Sequence, residues 1–146
     1  MKVCGVELKS NEAIICLLSK SEGLYDIPDC RARRITLTDM NSSQGLIDFQ
    51  FAFAKLMDDY KVDKVIIKQR PTKGKFAGSA AGFKMEAAIQ LAEGLNVETI
   101  SATELKESLK YNPLPIAFES TGLKAFQESA FTTAFVGTND LSAKEE

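Results

Sequence analysis

The chain contains no histidine. Without an imidazole group, the protein has no histidine general base, no Ser–His or Cys–His nucleophile pair, and none of the side chains on which nearly all transition-metal sites depend. Cysteine is scarce as well, since Cys4, Cys16 and Cys30 are odd in number and lack the spacing of a metal-binding motif. These three residues predict reduced thiols in a cytoplasmic protein.

Long apolar segments are also missing. No apolar run is long enough to span a bilayer, and Met1 to Cys4 enters a strand-like segment without the features of a signal peptide. We therefore expect no membrane association. The 146 residues fit one domain, which we place at residues 1–140, followed by a polar tail at residues 141–146. With 45% hydrophobic and 26% charged residues, the composition is that of an ordinary globular protein.

The net charge is −2, yet residues 65–86 carry a local excess of positive charge. In this segment a buried-strand pattern leads into a loop rich in glycine and lysine, and a helix of small residues follows. Its only acid is Glu86, and its basic residues are Lys68, Arg70, Lys73, Lys75 and Lys84. Basic side chains beside a helix N-terminus favour a phosphate ligand, because the backbone N–H groups and the helix dipole add to their charge. The alternative is a solvated loop, since no Walker or GxGxxG pattern is present.

Hydrophobic periodicity predicts an alternation of strands and helices along the chain. We predict strands at residues 3–8, 13–18, 34–38, 62–67 and 97–100, with a loop at residues 21–29. Helices are predicted at residues 46–60, 80–95, from 103 onwards without a capping box, and at 123–135. Three hairpin-linked strands followed by right-handed crossovers predict a mixed α/β sheet of five strands with helices on both faces. In that sheet the first three strands are antiparallel, and the fourth is parallel to the first. This is the ribonuclease-H-like order.

Residues 62–109 resemble a shortened Holliday junction resolvase of the RuvC family. In that family a strand ending in a catalytic glutamate precedes a polar loop, a helix of small residues, another strand and a short helix. The corresponding segments here are residues 65–69, 77–93, 97–100 and 104–106. The whole chain is also similar to a small bacterial family of uncharacterised proteins. The resemblance implies the ribonuclease-H-like fold and, if the protein is an enzyme, a phosphodiesterase or nuclease.

The resemblance also implies a site formed by Glu7, Lys68 and Glu128. The family's first-strand aspartate matches Glu7, the acid that ends its fourth strand falls on Lys68, and the acids of its last helix fall on Glu128. Two-metal hydrolysis needs several carboxylates around two Mg²⁺ ions roughly 4 Å apart. A lysine in that cluster repels the metals, and we expect it to pair with Glu7 instead. We therefore predict no cofactor, with Mg²⁺ disfavoured.

Each acid of this site also has a plainer interpretation. Glu7 is equally consistent with an ordinary charge at a strand end, and Glu128 with a solvated glutamate on a helix surface. Beside Glu128 the same helix carries a polar stripe formed by Ser129, Thr132 and Thr133. We expect these hydroxyls to bond the helix backbone, because no neighbour in the sequence can act as their base.

Two functions from different classes remain open. The first is a nucleic-acid-binding protein with a degraded nuclease site, in which Arg70, Lys73, Lys75 and Lys84 contact phosphates of DNA or RNA. Such contacts would give a salt-dependent affinity. Against this function stand the acidic pI of about 5.3 and the lack of an extended basic surface or of an aromatic stacking platform.

The second function is a catalytically inactive homodimeric interaction module. Phe49, Phe51 and Phe53 lie on one predicted helix. Positions i and i+2 on a helix diverge by about 200°, so the three rings cannot all enter one core. One of them must face a second surface, which is either a subunit contact or a wider core. A third function, a nucleotide binder of the actin-like ATPase kind, ranks last because the glycine-rich phosphate hairpin is missing.

Overall fold

The computed structural model of this protein describes residues 1–75 and 77–139 of its 146. The predicted polar tail lies outside these residues. The regular elements are β1 (Lys2–Lys9), β2 (Glu12–Ser21), β3 (Leu24–Asp26), β4 (Arg34–Thr36), α1 (Ser43–Asp59), β5 (Lys64–Lys68), α2 (Ala80–Gln90), β6 (Val97–Ile100), α3 (Ala102–Tyr111) and α4 (Glu128–Gly137). Two short 3₁₀ helices, Phe118–Ser120 and Ala125–Gln127, lead into α4. Among the described residues, no helix combines the length and the apolar character needed to cross a membrane.

The strands form one mixed sheet in the order β3-β2-β1-β5-β6, with β4 also paired to β2. β1 is antiparallel to β2 and parallel to β5, and β5 is parallel to β6. The predicted mixed sheet is therefore confirmed, including the parallel alignment of its first strand with the strand after α1. Such a parallel neighbour requires a crossover, which α1 provides.

The prediction of five strands was wrong, because the sheet has six. The additional strand is β3, which lies in the segment predicted to be a loop. Glu22 and Gly23 both have positive φ angles, 52° and 79°, and they connect Ser21 to its register partner Leu24. Two consecutive positive φ angles form the turn whose twist suits a tight hairpin. β3 and β4 occupy the same edge of β2, one at each end.

Helices cover both faces of the sheet, as predicted. α1 and α2 pack on one face, against side chains that include Cys4, Val6, Val65 and Ile67. α3 and α4 pack on the other face, against side chains that include Val3, Ile14, Cys16 and Ile66. Strands with two covered faces have near-continuous apolar sequences, which explains why β1, β2 and β5 were recognisable.

The three phenylalanines of α1 divide between core and surface. Phe49 and Phe53 are 2% and 0% exposed, whereas Phe51 is 68% exposed. The sequence left open whether the third ring enters a wider core or faces a subunit contact. Phe51 does not enter a wider core. Its ring lies on the outer side of α1, as does the side chain of Ile47, which is 54% exposed.

The N-terminus of α3 carries the capping box that we did not expect. Ser101 Oγ accepts a hydrogen bond from the Glu104 backbone N–H at 3.1 Å, and the Ser101 N–H donates to Glu104 Oε1 at 3.1 Å. The prediction was wrong because it placed the helix start at Thr103, whereas the helix begins at Ala102. Shifting the start brings Ser101 and Glu104 into the spacing of a capping box.

Replacement of Ser101 by alanine is expected to lower the free energy of unfolding by about 1 kcal/mol, because the Glu104 N–H loses its partner. Urea denaturation of the native chain and of Ser101→Ala measures this difference. Thr103→Ala is the matched control, since Thr103 is exposed in the same first turn. Equal losses in the two variants would contradict the capping role.

Candidate functional site at the carboxyl edge of the sheet

The register of the two central strands places Glu7 beside Lys68. β1 and β5 are parallel, and Glu7 is the direct partner of Lys68. Both residues therefore lie where these strands approach their carboxyl ends, which is the edge at which open α/β sheets bind ligands. Strand alternation turns both side chains toward the face covered by α4, which is also the face of Val3 and Ile66.

The third part of the site is the first turn of α4, which lies directly on β1. A Cβ at Gly5 would collide with the Ala130 carbonyl oxygen and would lie 2.5 Å from the Ala134 nitrogen. Glycine at this position lets two backbones approach closely. At the other end of α4, Lys64 Nζ donates to the Gly137 carbonyl oxygen at 3.1 Å and pairs with Glu98 Oε2 at 3.0 Å. The helix is thus held over the sheet, with Glu128 at its first position.

Glu7, Lys68 and Glu128 converge on one open cavity of about 460 Å³. The remaining lining residues are Lys9, Leu105, Ala125, Phe126, Ser129 and Thr132. Glu7 and Lys68 are half-buried, and Glu128 is exposed. Two carboxylates and at least one ammonium group therefore share a single cavity. The structure does bring together the three residues that the resolvase resemblance picked out, although it does not assign them a role.

The predicted ion pair between Lys68 and Glu7 was wrong. In residues 1–75 and 77–139 no ion pair joins them, and Lys68 Nζ donates to Ser129 Oγ at 3.3 Å. The close approach of α4 brings Ser129 within reach of Lys68. Lys68 is thus the side chain next to the Ser129 hydroxyl. An ammonium group only donates hydrogen bonds, so Lys68 does not act as a base for this hydroxyl.

All three hydroxyls of the polar stripe on α4 were expected to bond the helix backbone, and two of them do. Thr132 Oγ1 donates to the Glu128 carbonyl oxygen at 3.0 Å, and Thr133 Oγ1 donates to the Ser129 carbonyl oxygen at 2.8 Å. Both hydroxyl protons are therefore held within the helix. Only Ser129 directs its hydroxyl toward another element.

The residues of the cavity do not suit a pair of Mg²⁺ ions. Only two carboxylates, Glu7 and Glu128, line it, and the Lys68 ammonium lies in the same cavity. Within the described part of the chain, no three acidic or cysteine residues are grouped in a way that could hold a metal. Two-metal sites require more negative charge than two carboxylates provide next to a cation.

The basic residues beyond β5 fall into two places. Lys73 and Lys75 are exposed, and Arg70 is half-buried, on the loop that leaves the carboxyl end of β5. Lys84 lies on α2, on the opposite face of the sheet from the cavity, and its Nζ donates to the Met40 carbonyl oxygen at 2.7 Å. The structure therefore places three of the four predicted phosphate ligands on the loop that follows β5 and separates Lys84 from them.

Two residues of the cavity were missed in the sequence. Ser129 was considered only as part of the polar stripe, although it is the hydrogen-bond partner of Lys68. Lys9 also lines the cavity. Its position could have been found from strand alternation, because Lys9 follows Glu7 by two residues and therefore points to the same face.

The fold is similar to that of solved Holliday junction resolvases. RuvC of Thermus thermophilus superposes with a TM-score of 0.70 at 10% identity, covering 94% of this chain and 93% of that chain. RuvC of the same organism in complex with a Holliday junction substrate gives 0.68 at 12% identity, with the same coverage of 94% and 93%. The fowlpox virus resolvase, in complex with substrate Holliday junction DNA, gives 0.50 at 13% identity and covers 99% and 97%. At such low identities the likeness confirms the ribonuclease-H-like fold alone.

Sequence comparisons place the chain in a family. No curated protein matches it in sequence. A family model does match residues 1–137, which is nearly the whole chain. The chain therefore belongs to the family described as "Protein of unknown function (DUF3010)".

Proposed function

We propose that this protein binds nucleic acid at the carboxyl edge of its sheet, through a nuclease site that has lost its metal-binding capacity. The observation that carries the proposal is the convergence of Glu7, Lys68 and Glu128 on one cavity. A carboxylate from the first strand, a residue at the end of the parallel strand and a carboxylate from the last helix form the arrangement that the resolvase resemblance implies. Two of the solved structures with this fold are complexes with Holliday junction DNA.

The chemistry of the cavity supports binding rather than cleavage. The ammonium of Lys68 and the hydroxyl of Ser129 are both donors suited to a phosphate oxygen. Glu7, the strand partner of Lys68, and Glu128, which precedes Ser129, repel a phosphate, so its favourable contacts are confined to the Lys68 ammonium and the Ser129 hydroxyl. Because the donor set does not hold two divalent ions, no metal is available there to activate water or to stabilise the leaving oxygen.

The basic loop supplies the contacts outside the cavity. Lys73 and Lys75 are exposed at the same edge of the sheet. The two ends of the loop are joined, because the Gly78 N–H donates to the Pro71 carbonyl oxygen at 2.9 Å, and Ser79 Oγ anchors them by donating to the Ser10 carbonyl oxygen at 3.1 Å. An anchored loop loses less conformational entropy when it contacts a ligand than a free one does.

Binding of labelled single-stranded, duplex and branched DNA tests the proposal. We expect the native chain to bind at low salt, and we expect Lys73→Gln/Lys75→Gln to bind more weakly. For duplex DNA the slope of log K against log salt should fall by about 0.9 for each phosphate that the protein no longer neutralises, and therefore by about 2 in this variant.

Lys61→Gln/Lys110→Gln is the matched control, because it removes two exposed lysines that lie outside the cavity and the basic loop. The control should keep the native slope. Absence of binding by the native chain to all three DNA forms at low salt, where the attraction is strongest, would refute the proposal.

The homodimeric interaction module remains the second candidate, and one observation favours it. Ile47, Phe51 and Leu91 are 54%, 68% and 76% exposed on the side of the molecule formed by α1 and α2. Exposed apolar side chains of this size are a feature of subunit contacts. Sedimentation over a range of protein concentrations tests whether the chain associates, and the DNA titration tests whether it binds nucleic acid. A chain that does neither fits neither function.

A further inference from the structure

A second cavity, of about 180 Å³, lies at the outer edge of β2. β4 pairs with Glu12–Ile14 at one end of this edge, and β3 pairs with Ser19–Ser21 at the other end. The four residues between them, 15–18, have no strand partner on this side. The connection between β3 and β4 forms one wall of the cavity, and residues 121–127 contribute the other.

The backbone of Leu17 turns toward this cavity. The Ile15 N–H points away from β1, since it donates to the Arg33 carbonyl oxygen at 3.0 Å, and the Ile15 carbonyl oxygen accepts from Gln127 Nε2 at 3.0 Å. The Lys20 N–H points the other way, to the Met1 carbonyl oxygen at 2.8 Å. By alternation, the N–H and C=O of Leu17 face outward, as those of Ile15 do.

Among the described residues, Leu17 therefore presents a donor without a partner and an acceptor that receives only a weak hydrogen bond from a thiol. Across residues 1–75 and 77–139, nothing accepts a hydrogen bond from its N–H, and its carbonyl oxygen meets only Cys16 Sγ, at 3.7 Å. A buried backbone group without a partner raises the free energy of the folded protein. A polar ligand that hydrogen-bonds to such a group removes this cost, which favours binding there. Leu17 as a whole is only 2% exposed, and it lines the cavity.

Residues of both charges line the same cavity. They are Asp29, which lies beside Ile27, and the cationic residues Arg33 and Lys124. In the described part of the chain none of these three charged residues takes part in an ion pair. The cavity thus combines two cations, an anion, a backbone donor, a backbone acceptor and an apolar wall.

We propose that this cavity binds a small zwitterionic α-amino acid. The ligand carboxylate accepts from the Leu17 N–H and lies beside Arg33 and Lys124. The ligand ammonium donates to the Leu17 carbonyl oxygen and lies beside Asp29. An α-amino acid carries its carboxylate and its ammonium on one carbon, and this spacing matches the N–H and the C=O of one extended residue. The side chain of the ligand packs against Ile27. The volume suits alanine, serine or threonine.

The cavity binds this ligand without reacting with it. Cys16 and Cys30 also line the cavity. Burial raises the pKa of the Cys16 thiol to about 12, with a smaller contribution from Cys30 nearby. Cys16 is therefore protonated at neutral pH and is a poor nucleophile. This site is separate from the cavity at the carboxyl edge, and its proposal does not depend on nucleic-acid binding.

Titration of ¹⁵N-labelled protein with L-alanine, L-serine and L-threonine tests the proposal. We expect the Leu17 amide resonance to shift and its hydrogen exchange to slow. Asp29→Asn and Arg33→Gln/Lys124→Gln should each weaken amino-acid binding about tenfold or more, because each removes a charged contact. All three residues are exposed, so these variants keep the native fold, which the remaining amide spectrum verifies.

Two sets of controls make the result decisive. Propionate and ethylamine each carry one of the two ligand charges and should bind at least about tenfold more weakly than alanine. Glu107→Gln and Lys106→Gln remove matched charges from exposed positions on α3 and should leave amino-acid binding unchanged. The proposal is overturned if Leu17 does not respond to any of the amino acids at about 10 mM. It is also overturned if propionate acts as strongly as alanine, or if the control variants weaken binding as much as the cavity variants.

Discussion

Replacement of Gly5 by alanine is expected to lower the free energy of unfolding by about 3 kcal/mol, near the upper end of the range for overpacked cores. The added Cβ would meet the backbone of α4 at Ala130 and Ala134 rather than the end of a flexible side chain. A side chain can rotate away, whereas a helix backbone must move as a unit. The whole of α4 would therefore separate from β1, and its packing on the sheet would loosen.

Gly82 provides the matched control for this prediction. A Cβ there would lie 3.3 Å from Ser79 Oγ and 3.9 Å from Leu8 Cβ, and Gly82 has helical backbone in the first turn of α2. Alanine gains about 0.5 to 1 kcal/mol over glycine within a helix, which offsets the tighter contact with Ser79. Guanidinium denaturation should therefore find Gly82→Ala within about 1 kcal/mol of the native chain. Similar stabilities for Gly5→Ala and Gly82→Ala would contradict the role assigned to Gly5.

Replacement of Lys68 by glutamate is expected to raise the affinity of the cavity for Mg²⁺. The change adds a third carboxylate to Glu7 and Glu128 and removes the cation from their cavity. Two unit charges 4 Å apart interact by about 4 kcal/mol at an effective dielectric of 20, and solvent in an open cavity reduces this value. We therefore expect Mg²⁺ affinity to rise about tenfold to hundredfold, as measured by calorimetry.

Two further variants define the outcome of that experiment. Glu7→Gln in the Lys68→Glu background should return Mg²⁺ affinity to the native level, because one ligand is removed. Lys106→Glu makes the same charge change outside the cavity and should leave affinity unchanged. Micromolar Mg²⁺ binding by the native chain that disappears in Glu7→Gln would contradict our account of the site. Unchanged affinity in Lys68→Glu would show that the three positions do not act together.

Most of the fold was predictable because its central strands are apolar on both faces. The strand at residues 64–68 and the β1–β2 hairpin follow from apolar runs in the sequence. β3 was missed for the opposite reason. It has three residues, two of them exposed, and it exists because a turn at Glu22 and Gly23 directs it onto β2. Tertiary pairing, rather than intrinsic propensity, makes this segment a strand.

The site was predictable to the extent that it depends on strand register. Two parallel neighbours bring their carboxyl ends together, so the sequence could place Glu7 near Lys68. It could not reveal the bond from Lys68 to Ser129, because that bond depends on how closely α4 approaches β1. Gly5 sets this distance, and in the sequence it only interrupts an apolar run. The contact of Lys84 with Met40 is likewise tertiary and has no signal in the sequence.

The strand arrangement also limits how this protein can associate with copies of itself. At one margin of the sheet, β3 and β4 have three residues each, and at the other margin β6 has four. Strands in globular proteins usually have about five or six residues, so an incoming strand finds only a short template at either margin. Short edge strands are one of the means by which proteins avoid open-ended strand addition. The same short pairings that made β3 hard to predict therefore protect the folded chain from growing into fibrils through its sheet.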